Sequence, residues 1–487
     1  MNPIDVGIVV LYVLGCTILG ARLSTGATGL KGYFLGEKNI PAWAVMISIV
    51  ATETSTATFL SVPGVAYRGD FTYLQLPLGY IAGRLIVAFV LLPAYFRGEI
   101  YTAYQVLKER FGGTTRTTAS ILFLFTRVLA DGLRLFLAAK VLQQITGWPI
   151  WASIVTLGLV TIVYTYLGGM KAVIWIDVIQ FTIYIIGAMI ALGILIRLLP
   201  GGWDELITFG KQAQKFRMFN FTTDLTIPYT FWAGMFGGMV LNTATHGADQ
   251  MMVQRYLSAR SERQAAGALI ASGLVIFIQF AFFLFIGVSL AAFYQDFQPT
   301  RALGRDEEFA YFIVNYLPVG ITGIVIAAIF SAAMGTLSGS LNSSASTTVN
   351  DLYRPLTRIE DEKHLLRVSR LLTAVWGAAQ IGVALGATGL QDNVVNVALA
   401  IASFTTGIIL GVFLLGILTT RVGETAALIG LLSGASAVTF ARFGTPLAWP
   451  WFALVGSSTV FVVGYLASYV FPNTALPKPA SEPHAVA

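Results

Sequence analysis

Apolar stretches, most of them 18 to 27 residues long, recur from one end of this chain to the other, separated by short charged or Pro/Gly-rich breaks. A helix of roughly 20 residues crosses a hydrocarbon core, and a bilayer admits only segments whose backbone polar groups are bonded internally. The repeat therefore dictates an all-α bundle of membrane-spanning helices. Only 11% of the residues are charged and 56% are hydrophobic, whereas a soluble domain carries about 25% charged residues. Lipid is the solvent here, and the bilayer is the chain's first partner.

Reading the runs between breaks gives spans near 4 to 22, 42 to 66, 73 to 96, 117 to 146, 149 to 167, 173 to 197 and 227 to 253. Six more lie near 265 to 294, 318 to 349, 367 to 388, 393 to 418, 424 to 442 and 450 to 471. The expectation is a polytopic membrane protein of about 13 transmembrane helices, with residues 1–472 as one transmembrane domain. Residues 473–487, rich in Pro and Ala, read as a disordered cytoplasmic tail. The first span has no basic leader or small-residue cleavage site, so it reads as a retained helix. The single cysteine, Cys16, allows no intramolecular disulfide.

Assigning alternate loops to opposite sides puts eighteen of the thirty Lys/Arg on one side and eight on the other, with four inside spans. By the positive-inside rule the amino terminus is outside and the carboxyl terminus cytoplasmic, which places the chain in a plasma or inner cell membrane. The same asymmetry accounts for the net charge of +6 without nucleic acid as a partner.

Ionisable side chains inside spans are costly and mark functional positions or structural ion pairs. Glu53, Asp131, Asp177 and Asp249 stand beside Arg84, Arg127, Arg134 and Lys140. Equal numbers of each sign permit mutual pairing. Asp131 and Arg134, three apart, share a helix face and reach each other.

The second span contains Ala51-Thr52-Glu53-Thr54-Ser55-Thr56-Ala57-Thr58, a poor helix for mid-bilayer. It reads either as a kinked span whose hydroxyls bond back to the backbone, or as a discontinuous helix whose freed carbonyls line a cavity, where transporters hold ions and solutes. The seventh span carries Gly234, Gly237 and Gly238 followed by Asn242-Thr243-Ala244-Thr245-His246-Gly247. Two interrupted spans five helices apart are the spacing of inverted repeats. In the ninth span the run from Ala332 to Thr347 is rich in Gly, Ser and Thr. That composition serves close helix packing, or offers the hard oxygen ligands that sodium prefers.

Four stretches in order resemble the sodium:solute symporter family over nearly the whole chain. They are Tyr33-Phe34-Leu35-Gly36, the run Gly168-Gly169-Met170-Lys171-Ala172-Val173-Ile174-Trp175-Ile176-Asp177, the run Asp249-Gln250-Met251-Met252-Val253-Gln254-Arg255, and the Ser/Gly/Asn run of the ninth span continuing to Asp351-Leu352-Tyr353. The resemblance implies a leucine-transporter-like fold of two inverted five-helix repeats, covering about residues 42–418, with one helix before and two after. It implies a sodium site at Ala51, Thr54, Ala332, Gly335 and Thr336, where Gly335 replaces a hydroxyl common in relatives and Thr54 or Glu53 would compensate. A second sodium would use Asp177, Ser338 and Gly339, with Ser340 nearby; Gly339 again removes a ligand. Position in the family fold points to Ser55, Thr58, Tyr73, Gln75, Arg134, Asn242, His246, Thr405 and Thr406 as solute contacts. Pro77 stands where sialic acid relatives have a glutamine, which disfavours that solute. His246 reads equally well as a packed polar residue beside the unwound segment.

The function implied is secondary transport of a small organic solute, such as a sugar derivative, organic acid or amino acid, by symport with sodium through alternating access. Proton coupling through Glu53 is the rival reading. An enzyme is disfavoured: His246, His364 and His484 are scattered, and no phosphate-binding Gly-rich loop is present. A sensor would carry an appended cytoplasmic domain, which this tail is too short to be.

Overall fold

The structure, a computed structural model, describes residues 2–23, 29–97, 100–389 and 394–473. The tail expected to be disordered lies, from residue 474 onward, outside the described residues. The chain opens with α1 (Pro3–Leu23), a short α2 (Leu30–Leu35), α3 (Ala42–Glu53) and α4 (Thr56–Arg68). Next come α5 (Gln75–Ile86), which passes through a π turn into α6 (Leu92–Phe96), then α7 (Tyr104–Arg110), α8 (Gly113–Thr146), α9 (Ile150–Leu198) and α10 (Gly202–Gln212). A π turn over Ala233–Gly238 leads into α11 (Met239–Gly247), followed by α12 (Gln250–Leu257), α13 (Glu262–Asp296), α14 (Glu308–Tyr316) and α15 (Ile321–Thr347). The last five helices are α16 (Arg354–Thr357), α17 (Glu362–Gly386), α18 (Val394–Leu418), α19 (Glu424–Gly444) and α20 (Phe452–Ala467).

Among the described residues nine helices are long and apolar enough to cross a membrane, or ten if α3 and the bent α4 count as one span. Length and hydropathy alone thus single out nine to ten of the thirteen expected spans. The other expected segments are helical too, but α8 carries Arg127, Asp131, Arg134 and Lys140, and the pieces around α11 and α12 are short and polar.

Three breaks organise the bundle. Thr54 and Ser55 leave the helical region between α3 and α4 (ψ 95° and 174°), and the two halves are bent by 59°. The discontinuous reading of the Thr/Ser run is the one adopted. The second break falls at Ala248 and Asp249, just beyond the Asn242–Gly247 run, which stays helical as α11. The shift has a local cause: the Asp249 carboxylate accepts from the Met251 N–H at 2.9 Å and caps α12. The third lies inside α9, where Gly169 adopts φ 68°; a Cβ there would meet Tyr33 O at 2.9 Å, so only glycine fits.

The small residues of α15 are buried along the helix, which packs against α9 and α1 in the middle of the bundle. Glycines bring α5 and the π turn before α11 into backbone contact. A Cβ on Gly79 would strike the Gly234 carbonyl oxygen, and one on Gly83 would lie 2.5 Å from Met239 O. Gly79→Ala is expected to cost about 1–3 kcal/mol by forcing these helices apart, whereas Gly7→Ala, with open space around its Cβ, leaves the melting temperature in detergent unchanged.

The loop after α10 holds the far end of α4. Lys215 Nζ donates to the carbonyls of Tyr67 (2.8 Å), Gly69 (2.9 Å) and Ala66 (3.3 Å), and Arg217 pairs with Asp70 at 2.7 Å. A cation at a helix C-terminus satisfies its orphan carbonyls. Arg68 adds an ion pair to buried Glu308 at 2.6 Å.

Candidate functional site

The break between α3 and α4 puts Glu53 at a helix end in the centre of the bundle. There its carboxylate accepts from Arg84 of α5, with His246 Nε2 of α11 at 3.4 Å. Arg84 is fully buried and also donates to Ser272 Oγ of α13 at 2.9 Å; His246 Nδ1 meets Tyr256 OH at 2.6 Å. The trio thus ties both broken helices to α5 and α13. His246 is at once packed and on the cavity wall.

A second charged group lies beside it on α8. Arg127 sits 3.0 Å from Asp249 and 3.6 Å from Asp131, and Asp131 also accepts from Arg134, the pair anticipated from their spacing. Arg134 makes no other hydrogen bond among the described residues and retains some exposure. Three arginines face three carboxylates around one cavity.

That cavity, about 100 Å³, is lined by Ser55, Thr58, Tyr73, Arg134, Asn242 and His246 of the expected solute contacts. Thr52, Glu53, Tyr80, Arg127, Thr245 and Asp249 add polar atoms, and Leu241, Met251, Met252 and Phe280 add an apolar side. Three expected contacts are not in the wall. Gln75 is buried with its amide spent on Thr72 O, Tyr229 O and the Asn220 N–H. Thr405 lines a separate groove on the outside of α18, and Thr406 donates to Ala402 O at 2.6 Å. The face of α18 toward the cavity is Ala398, Leu399 and Ala402, one turn earlier.

Behind the break lies a void of about 10 Å³ lined by Ala51, Thr54, Gln180, Phe181, Tyr184, Ser331 and Ala332. Its size suits a single water or small ion. Three of the five expected sodium residues meet here. Thr336 is adjacent, its hydroxyl donating to Thr52 O at 3.0 Å, and so bridges α15 to the end of α3. Gly335 offers no side chain, and the space is taken by Gln180: a Cβ on Gly335 would lie 2.9 Å from Gln180 Oε1 and 3.2 Å from Asp177 Oδ1. Both amide atoms of Gln180 and the Asp177 Oδ1 are buried without a hydrogen-bond partner among the described residues. Buried oxygens left bare beside a small void are what a cation completes. Gln180 escaped the sequence reading; the signal for it was its place three residues after Asp177 on the same helix face.

The residues expected at a second ion site are drawn into hydrogen bonds within the protein. Asp177 Oδ2 accepts from Ser48 Oγ (2.5 Å) and from Arg255 Nη2 (3.1 Å). The absent side chain at Gly339 leaves room for that guanidinium, since a Cβ there would lie 2.6 Å from Arg255 Nη2. Ser338 turns to Gly335 O at 3.1 Å, and Ser340 accepts from Gln380. Arg255 is thus the charged partner of Asp177 among the described residues, at 3.1 Å.

Comparison with known proteins fits this geometry. The model of the sodium:solute symporter family matches residues 33–434. The chain is 30% identical to the sodium/sialic acid symporter of Proteus mirabilis over 473 residues, covering 94% of each. It is 29% identical to the human sodium/iodide cotransporter, over 91% of this chain and 70% of that one, and 29% identical to sodium-coupled monocarboxylate transporter 1 of Xenopus laevis, over 93% and 70%. A substrate-bound, outward-open structure of a Na+-coupled sialic acid symporter superposes with a TM-score of 0.89 at 28% identity, covering 98% of this chain and all of that one. A nucleobase-cation-symport-1 family transporter shares the fold alone, with a TM-score of 0.62 at 14% identity. Broken helices facing a charge-balanced cavity, beside a small void that Thr54, Gln180 and Ser331 help to line, are thus set in a chain that belongs to the sodium:solute symporter family: a multi-pass, sodium-coupled secondary transporter of small solutes and not an enzyme.

Proposed function

We propose that this transporter carries a short-chain organic monocarboxylate together with one sodium ion. The observation that carries the solute class is Arg134, whose guanidinium faces the cavity and shares its counter-ion. Asp131 serves both Arg134 and Arg127, so Arg134 keeps donors for a carboxylate, which an arginine fork binds in two-pronged fashion. Met251, Met252 and Phe280 opposite suit a short apolar tail, and about 100 Å³ is well below the ~300 Å³ of sites for drug-sized ligands. A sodium-coupled monocarboxylate transporter is among the relatives.

For the ion, the reading takes Ala51, Thr54, Ala332 and Thr336, with the Gln180 carbonyl oxygen in place of the hydroxyl missing at Gly335. Solute contacts Ser55 and Thr58 and ion contacts Ala51 and Thr54 flank the same break. Ordering that break for one ligand lowers the cost of ordering it for the other, which is the coupling symport requires. Glu53 is engaged by Arg84 and His246, which disfavours it as a lone titrating carboxylate for proton coupling. The charge asymmetry of the loops supports an external amino terminus and a cytoplasmic carboxyl terminus.

The test is thermal stabilisation of the purified protein by acetate, propionate, lactate, pyruvate, glucose, leucine, sialic acid and iodide, each in sodium and in potassium. A short carboxylate is expected to raise the melting temperature only in sodium, and to lose that effect in Arg134→Gln. Stabilisation by a neutral sugar, or by a carboxylate equally well in Arg134→Gln, refutes the solute class.

A further inference from the structure

On the side of α8 and α18 away from the solute cavity, a groove of about 510 Å³ opens at the bundle surface. Its walls are apolar: Leu122, Phe125 and Leu129 of α8 face Ile401 and Phe404 of α18, and Phe443 closes one side. Two cations also line it. Arg442 stands in the last turn of α19, and Arg305 in the loop before α14; both side chains are exposed. Neither makes a hydrogen bond or ion pair among the described residues; Arg442 lies only beside the Phe443 ring, 5.5 Å from its centre. Trp449, itself 9% exposed, also lines the groove, and its indole N–H has no acceptor among the described residues.

Guanidinium groups unpaired among the described residues, with an unanswered indole donor, in the wall of an apolar channel are complementary to an anionic head on a hydrocarbon tail. A soluble anion would leave the channel empty, and a zwitterionic lipid would bring a cation against the arginines. We propose that this groove binds one anionic phospholipid, its phosphate between Arg305 and Arg442 and an acyl chain along Phe125, Ile401 and Phe404. The site backs directly onto the solute cavity. Leu122, Phe125 and Leu129 share α8 with Arg127 and Arg134, and Ile401 and Phe404 share α18 with Ala398 and Ala402. A bound lipid therefore braces two cavity walls from behind, and its departure frees them to separate.

The full chain, purified in detergent, is examined by native mass spectrometry after exchange with phosphatidylglycerol or phosphatidylcholine. Wild type retains one phosphatidylglycerol in preference to phosphatidylcholine, and its melting temperature rises with the former only. The Arg305→Gln/Arg442→Gln double variant loses the preference roughly 10- to 30-fold, as expected for two arginine contacts. Ala400→Trp, which fills the channel, loses the retained lipid with both arginines in place. Sodium-dependent uptake in liposomes is expected to rise with phosphatidylglycerol content in wild type and to be flat in the double variant. Equal retention of the two lipids by wild type, or undiminished phosphatidylglycerol binding by either variant, overturns the proposal.

Discussion

Replacing Arg84 with methionine is expected to destabilise the protein by about 3–5 kcal/mol, the cost of stranding a buried carboxylate without its partner. The partner is Glu53 at the end of α3, and the same guanidinium also reaches Ser272 and His246. One substitution therefore removes the tie between the first broken helix, α5, α11 and α13. The double variant Arg84→Met/Glu53→Gln removes both charges and should recover most of the lost melting temperature while leaving sodium-dependent uptake impaired. If single and double variants melt alike, the pair contributes nothing to the fold and the defect lies in packing around α5.

Gln180→Ala is the second large effect. In the proposed sodium site this amide oxygen fills the gap at Gly335, so its loss removes one neutral ligand worth about 1–3 kcal/mol. The sodium concentration for half-maximal uptake should rise roughly 5- to 150-fold, while the maximal rate at saturating sodium falls little. Gln180→Ala/Gly335→Ser, which restores a hydroxyl from the opposite helix into the vacated space, should recover much of the affinity. An unchanged sodium dependence in Gln180→Ala would leave the ion elsewhere, with Gln180 merely packed.

The break at Thr54–Ser55 was legible because its cause is local: hydroxyls and β-branched residues crowd eight positions of a span that needs apolar helix formers. Asp131 with Arg134 was legible for the same reason, since helix spacing alone makes them meet. What eluded the sequence depends on partners far away in the chain. Arg255 reaches Asp177 across 78 residues, and nothing near either residue announces it. Gln180 acquires meaning only opposite Gly335, on another helix. Place along α18 points to Thr405 and Thr406 but carries no information on which face meets the cavity, and Thr405 lines the outer groove instead.

The balance of buried charge has an energetic consequence. Arg84, Arg127 and Arg134 offset Glu53, Asp131 and Asp249 around the cavity, and Arg255 offsets Asp177 behind it. On the proposed stoichiometry, one sodium with one monocarboxylate adds no net charge to these balanced pairs. Membrane voltage, which contributes roughly 2.3 kcal/mol per charge at 100 mV, then does no work on the loaded form. Accumulation under that proposal is expected to follow the sodium concentration ratio alone: a tenfold ratio supports a tenfold solute gradient, about 1.4 kcal/mol, in a polarised or a depolarised cell alike.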